Sequence, residues 1–297
     1  MNKCLLVFYS GTNNTTYITN KLKTRLESEG YEVDIYRINP LKIEKLDFSN
    51  YNLVGIGYPI YGFNLPRIVH KFFKKQTFIK NQRYFIYKNS GETYGANDAS
   101  SLALRRLIKR RKGNLTNEYH FIMPYNIHFR FDENLVKEML GIDELLMDIL
   151  VKEIKDNIHN IKKYKFIHRL INHPMRLTYI GGNINVLFYK VDKKKCINCG
   201  LCIQKCQMNN IYRDKNGKIK FHSHCLMCMN CTLNCPKDAI KMGLFDSWRV
   251  NKPYNFKEIE KIELKEPVIT ENTKGFFKCY IKTYEQIKTR HKELFGE

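Results

Sequence analysis

Eight of the ten cysteines in this chain lie in two short runs, CINCGLCIQKC from Cys196 to Cys206 and CLMCMNCTLNC from Cys225 to Cys235. Each run reads Cys-x2-Cys-x2-Cys-x3-Cys. Thiolates at that spacing suit soft metals, and an iron–sulfur cubane takes four of them. Three close cysteines can wrap one cluster corner by corner while the fourth is directed away. Zinc is the competing reading, because Cys4 zinc sites also use Cys-x2-Cys pairs. Zinc needs two pairs, however, and leaves the third Cys-x2 step without a role. Iron–sulfur chemistry is therefore expected. Pro236 follows the last cysteine of the second run, whereas Gln207 holds the matching place in the first. His222 and His224 stand just before Cys225 and read as surface or hydrogen-bonding residues rather than ligands. The remaining cysteines, Cys4 and Cys279, are isolated, which does not suit a disulfide framework.

A second constellation opens the chain. LLVFYSGTNNTTYI runs from an apolar strand into a hydroxyl-rich loop and then a helix. A helix N-terminus offers unpaired N–H groups and a positive dipole end, which suit a phosphate. Ser10, Thr12, Thr15 and Thr16 add hydroxyl donors without charge. No Gly-Lys-Ser/Thr follows, so this is not a nucleoside-triphosphate loop. GIGYPIYG at 55–62 lacks the last glycine of a dinucleotide fingerprint. Taken alone, the opening loop could be a capped turn. Two further loops weigh against that: YPIYGFNLP at 58–66 and SGETYGAND at 90–98, both glycine-containing and carrying tyrosine.

The elements that must position these loops are legible as periodicity. KCLLVFY, YEVDIYRI, NLVGIGYP, RYFIYKNS and EYHFIMPYN read as strands. Helical patterns fill 14–30, 66–75 and 99–112, with Pro66 in a first turn and Gly30 and Gly113 as terminators. Alternating strand and helix predicts an α/β, doubly wound, five-stranded parallel sheet covered on both faces. In such a sheet ligands bind beyond the carboxyl ends of the strands, where all three loops lie. A helical pattern continues from 133 to about 170 until His173-Pro174 breaks it. Residues 171–191, with a Gly-Gly turn at 181–182, read as a connector. The cysteine module covers 192–245, and 246–297 reads as a mostly helical extension packed on one of the domains.

Residues 192–242 resemble a bacterial-type two-cluster 4Fe–4S ferredoxin. That resemblance implies a small α+β domain in which the fourth cysteine of each run ligates the other cluster. One 4Fe–4S cluster would take Cys196, Cys199, Cys202 and Cys235. The other would take Cys225, Cys228, Cys231 and Cys206. The first domain, 1–170, resembles flavodoxin. Ser10-Gly11-Thr12-Asn13-Asn14-Thr15 is similar to that family's Ser/Thr-x-Thr-Gly-x-Thr phosphate loop, with Thr16 beyond it and Asn13 in place of the usual glycine. Asn tolerates positive φ better than most residues. The resemblance implies FMN, its ring held by Pro59, Tyr61, Gly62 and Phe63 on one loop and Asn89, Ser90, Gly91, Tyr94 and Gly95 on another. Tyr61 and Tyr94 are the expected stacking partners. With its YPIYG and MPYN elements, the whole looks like the flavodoxin–ferredoxin fusion proteins, the EFR-type "ferrodoxin" family, of anaerobic bacteria.

The formal net charge of +22 suits an acidic redox partner protein, although a Lys- and Asn-rich composition also produces it without any partner. No nucleic-acid motif accompanies it, so nucleic acid is not an expected partner. No apolar run reaches the roughly 18 residues of a membrane span, and the start of the chain has neither a long apolar core nor a cleavage site. A cytoplasmic location is the expectation. The leading functional expectation is an electron-transfer protein relaying electrons between two 4Fe–4S clusters and FMN, coupling one- and two-electron carriers. A flavin-dependent oxidoreductase acting on a small molecule is the alternative, with Glu92 and His128 as candidates by position only. A redox-sensing or docking protein without flavin is the third.

Overall fold

The computed structural model describes residues 2–93 and 95–296. The first strand shows why the sheet forms. In β1 (Asn2–Phe8) every second side chain enters a different core: Cys4, Leu6 and Phe8 face one, Leu5 and Val7 the other. A strand apolar on both faces must be covered on both faces. Four more strands follow, β2 (Tyr31–Arg37), β3 (Leu53–Pro59), β4 (Arg83–Ser90) and β5 (Asn114–Ile122). They pair in parallel in the order β2-β1-β3-β4-β5, which is the flavodoxin-like order of a doubly wound sheet. Helix α1 (Asn14–Ser28) buries Ile18, Leu22 and Leu26 on one side of it. Helices α2 (Arg67–Lys74) and α3 (Leu102–Arg110) cover the other with Ile68, Phe72, Phe73, Leu104 and Ile108. Pro66 sits just outside α2 rather than in its first turn. Residues Gly95–Ser101, the last three of which were expected to be α-helix, form a 3-10 turn ahead of α3.

The long helix expected over 133–170 is interrupted. Helix α4 spans Glu133–Lys155, and Asn157 turns the chain with φ 55°. The following residues pair with the edge of the sheet: Glu118 N donates to Asn160 O at 2.7 Å and Asn160 N to Thr116 O at 3.0 Å. Sheet-edge hydrogen bonding there outcompetes helix propensity. Two short helices follow, α5 (Phe166–Asn172) and α6 (Thr178–Asn185). The Gly-Gly pair is inside α6, not in a turn. A Cβ on Gly182 would come within 2.6 Å of the Cys225 carbonyl oxygen, so glycine is required for close approach.

The cysteine module is bracketed by a two-stranded antiparallel ribbon, β6 (Tyr189–Val191) with a late strand, Ile240–Met242. Between them come α7 (Leu201–Lys205), the hairpin β7 (Ile211–Arg213) and β8 (Ile219–Phe221), and α8 (Asn230–Leu233); the late strand is β9. This is the small α+β ferredoxin-like domain expected. Beyond it, α9 (Phe256–Ile259) and α10 (Lys278–Phe295) lie on α4, and Tyr280, Tyr284 and Ile287 of α10 join the first core.

Candidate functional site: two thiol sets and a phosphate loop

The two cysteine runs are a structural repeat. Backbone φ is positive at Asn198 (55°) and Gly200 (76°) in the first, and at Met227 (51°) and Met229 (62°) in the second. Three residues after the last cysteine of each run, Asn209 (49°) and Asp238 (47°) repeat the pattern. Asn210 N donates to Cys206 Sγ at 3.2 Å, and Ala239 N donates to Cys235 Sγ at 3.3 Å. The turn after Cys206 therefore matches the turn after Cys235, although one carries Gln207 and the other Pro236. Such left-handed positions aim backbone N–H groups at the sulfurs, where they stabilise negative charge.

Cys196, Cys199, Cys202 and Cys235 line one cavity with Val191, Ile219, Pro236 and Ala239. Their charges oppose ionisation of Cys202, whose thiol burial pushes up to about 11. Cys225, Cys228 and Cys231 interact in the same way with one another and with Cys206. Burial pushes Cys225 to about 12 and Cys228 to about 11, and Cys231 well above the ordinary thiol value. Bound iron would favour the thiolate forms of these cysteines, its positive charge offsetting the burial, with their protons released to solvent. Among the described residues no three His, Cys, Asp or Glu side chains converge as one metal ion would require. A cubane presents its irons at separate corners, so four spaced thiols around a cavity fit it. His222 and His224 are exposed. They stack on each other at 5.4 Å, and His222 stacks on Tyr212 at 4.3 Å.

At the carboxyl end of the sheet, Asn13 takes φ 78° at the start of α1, the conformation a glycine would adopt. Of the loop's hydroxyls two are engaged: Thr15 Oγ1 donates to Asn89 Oδ1 at 2.7 Å, and Thr12 Oγ1 accepts from Asn126 Nδ2 at 2.9 Å. Ser10 Oγ and Thr16 Oγ1 are buried without a partner, an arrangement that fits a bound phosphate. Asn14 Nδ2 donates to Pro124 O at 2.8 Å, and Arg37 to Ser10 O at 3.1 Å.

The other two loops are held from behind. Pro59 ends β3 buried; Gly62 (φ 53°) and Phe63 (φ 58°) turn the chain, and Phe63 O accepts from Asn172 of α5. Ser90 Oγ donates to Glu92 O and contacts His120 Nε2, each at 2.8 Å. Gly91 O accepts from the Tyr280 hydroxyl, and the His168 imidazole lies against Gly95. Beneath them is an ion cluster whose Lys88 and Glu118 side chains are fully buried. Lys88 Nζ donates to Asn97 O (2.9 Å), Asp98 O (3.1 Å) and Glu118, which also accepts from Ser101 and Arg105. Burial lowers the Lys88 pKa and the Glu118 charge opposes that. Tyr94 lies outside the described residues. Glu92 sits near His128, whose ring packs on Tyr125 and Trp248, and burial lowers its pKa.

The phosphate loop and the second thiol set are in direct contact. A Cβ on Gly11 would come within 2.4 Å of Tyr61 Oη and 2.8 Å of Cys228 Cβ. Gln207 Nε2 donates to Ser10 O at 2.8 Å and Gly11 O at 3.2 Å. Asn126 Nδ2 reaches both Thr12 Oγ1 and Cys228 O. Tyr9 and Tyr61 lie together beside Cys228, and burial raises both phenols well above their ordinary pKa. Tyr61 thus stands between the first loop and the cysteine module. A proline at 207 could not make the Gln207 contacts, so the departure from the ferredoxin pattern is an interdomain strap. Gln207, Asn126, Lys88 and Tyr280 were not singled out for the site from sequence. Lys88 left a signal, a lone lysine inside an apolar strand, and Gln207 left another as the residue at the place of Pro236; Asn126 and Tyr280 left none.

A 4Fe-4S dicluster domain model matches residues 195–240. A curated relative, the pyruvate synthase subunit PorD of Methanocaldococcus jannaschii, is 35% identical over 51 residues, 17% of this chain. This chain spans 59% of that relative's length. The solved Streptococcus pneumonia TIGR4 flavodoxin is 17% identical, with a TM-score of 0.36 over 49% of this chain and 95% of its own. Two-electron reduced Megasphaera elsdenii flavodoxin is 19% identical, with a TM-score of 0.34 over 39% of this chain and 84% of its own. The strand order gives the first half a flavodoxin-like fold. The chain thus carries a 4Fe-4S dicluster signature at residues 195–240, behind a first half with the flavodoxin-like strand order.

Proposed function

We propose that the chain relays electrons between two 4Fe–4S clusters and an FMN, exchanging single electrons with an acidic redox partner in the cytoplasm. Bound clusters supply one-electron transfer, and bound flavin accepts one electron or two. Cys196, Cys199, Cys202 and Cys235 would hold one cluster, and Cys206, Cys225, Cys228 and Cys231 the other. Ser10 and Thr16 would donate to the FMN phosphate, with the loops at 58–63 and 89–97 around the ring. The observation that carries this reading is the contact between Cys228 and Gly11, with Gln207 and Asn126 fastening the two loops. A cysteine module used only for folding would need no such strap onto a phosphate loop. Lys193, Lys194 and Lys195 beside the first thiol set supply positive charge for an acidic partner. The test is anoxic purification followed by assay of iron, sulfide and flavin. Two clusters and about one FMN per chain are expected. Two clusters with no flavin taken up from added FMN would reduce the first half to a docking scaffold.

A further inference from the structure

Helices α5 and α6 and the 3-10 turn Val186–Phe188 turn most of their large apolar side chains outward. Two of their asparagines face the protein. Asn172 is 3% exposed and Asn185 1%. Asn185 Nδ2 donates to Met242 O at 3.0 Å and its Oδ1 accepts from Leu244 N at 2.9 Å. Their apolar residues face water: Phe166 is 70% exposed, Leu177 71% and Leu187 67%, with Leu170, Ile180 and Ile184 each above half. Leu177, Ile180, Ile184 and Leu187 recur at intervals of three, four and three, one helical stripe. Leu244, 68% exposed, continues the patch from the cysteine module. A surface helix of a soluble domain shows the opposite pattern, and an apolar patch of this kind marks an interaction site.

Charge says what covers it. No Asp or Glu occurs between Asp156 and Asp192, while Lys162, Lys163, Lys165, Arg169, Arg176 and Lys190 all lie in that stretch. Among the described residues Lys163, Lys165 and Lys190 enter no ion pair. Lysine is depleted at protein–protein contacts. Lysines interleaved with exposed Leu, Ile and Phe in an acid-free stretch are instead the composition of a helix lying in an anionic lipid interface, its amines reaching headgroups.

We propose that residues 161–190 dock the chain onto the surface of an anionic phospholipid bilayer. No helix among the described residues is long and apolar enough to cross a membrane, so the contact is peripheral. The inward faces of the same helices touch both candidate redox sites, through His168 at Gly95, Asn172 at Phe63 and Gly182 at Cys225. Docking would bring both sites to the membrane surface.

The test needs no redox readout, so it stands apart from the cofactor reading. The purified full chain is floated on a sucrose gradient with phosphatidylcholine vesicles, or with vesicles also containing phosphatidylglycerol, at about 0.15 M salt. Flotation with the anionic vesicles alone is expected. The double variant Leu177→Ser/Leu187→Ser changes only exposed side chains and should lose at least about tenfold in partitioning, with its iron–sulfur absorbance intact. Absence of flotation would overturn the proposal, as would flotation that the variant retains and salt abolishes. Self-association lost in the variant, without vesicle binding, would make a second copy the occupant and overturn it too.

Discussion

Around Cys196, Cys199, Cys202 and Cys235 the chain leaves an open cavity, with Cys199 exposed and three lysines close by in sequence. Around Cys206, Cys225, Cys228 and Cys231 the same backbone repeat is pressed against a phosphate loop, with Tyr61, Gln207 and Asn126 filling the join. One spacing of cysteines thus serves two environments. The difference comes from residues outside the motif, and it gives the module a direction: an outer thiol set that a partner can approach and an inner one joined to the flavodoxin-like half.

Cysteine replacement probes this comparison most strongly. Cys228→Ser and Cys199→Ser should each remove roughly half of the iron and sulfide. Only Cys228→Ser should also weaken flavin retention, measured after gel filtration, and equal flavin loss in both would erase the distinction. Lys88→Met comes next. It strands Glu118 beneath the flavin loops and should cost about 3–5 kcal/mol in urea unfolding, whereas Lys195→Met at the outer set should be near neutral. Gly11→Ala forces a methyl group onto Tyr61 and Cys228 Cβ and should cost about 1–3 kcal/mol. Unchanged stability would mean that the join is loose. Gln207→Ala should cost about 1 kcal/mol and speed proteolysis between the halves, while Gln207→Pro keeps the iron but has the same effect on the join.

The smallest effect concerns pH. Burial holds the His120 pKa well below its ordinary 6.5. The unfolded chain therefore binds the extra proton, and His120 makes stability fall as pH drops through about 6.5. His120→Gln should flatten that part of the stability–pH curve, read by urea melts. A slope unchanged by the substitution would assign it elsewhere.

The sheet was legible because five apolar runs are separated by helical periodicity, and the thiol sets because their spacing has few other uses. The break in the helix after Lys155 was not legible. Apolar residues continue at helical intervals through Ile158 and Ile161, and only the pairing of Asn160 with the sheet edge overrides them. The Gly-Gly pair read as a turn because nothing local reveals that Cys225 approaches Gly182. The join itself depends on Gln207 and Asn126, polar residues whose partners are more than a hundred positions away in sequence. The sequence did mark Gln207 as a departure from the ferredoxin pattern, and the structure supplies its reason. Asn13 is the same kind of case, a departure that keeps the φ of the glycine it replaces.

The measurement closest to the central claim is anoxic stopped-flow reduction of the flavin-loaded chain by a reduced soluble ferredoxin. Flavin absorbance is followed in the wild type and in Cys228→Ser, with iron content confirming that the outer set is intact. The join predicts that flavin bleaches in the wild type and far more slowly in the variant. Flavin that stays oxidised beside fully reduced iron–sulfur centres, or that bleaches equally fast in both proteins, would contradict it.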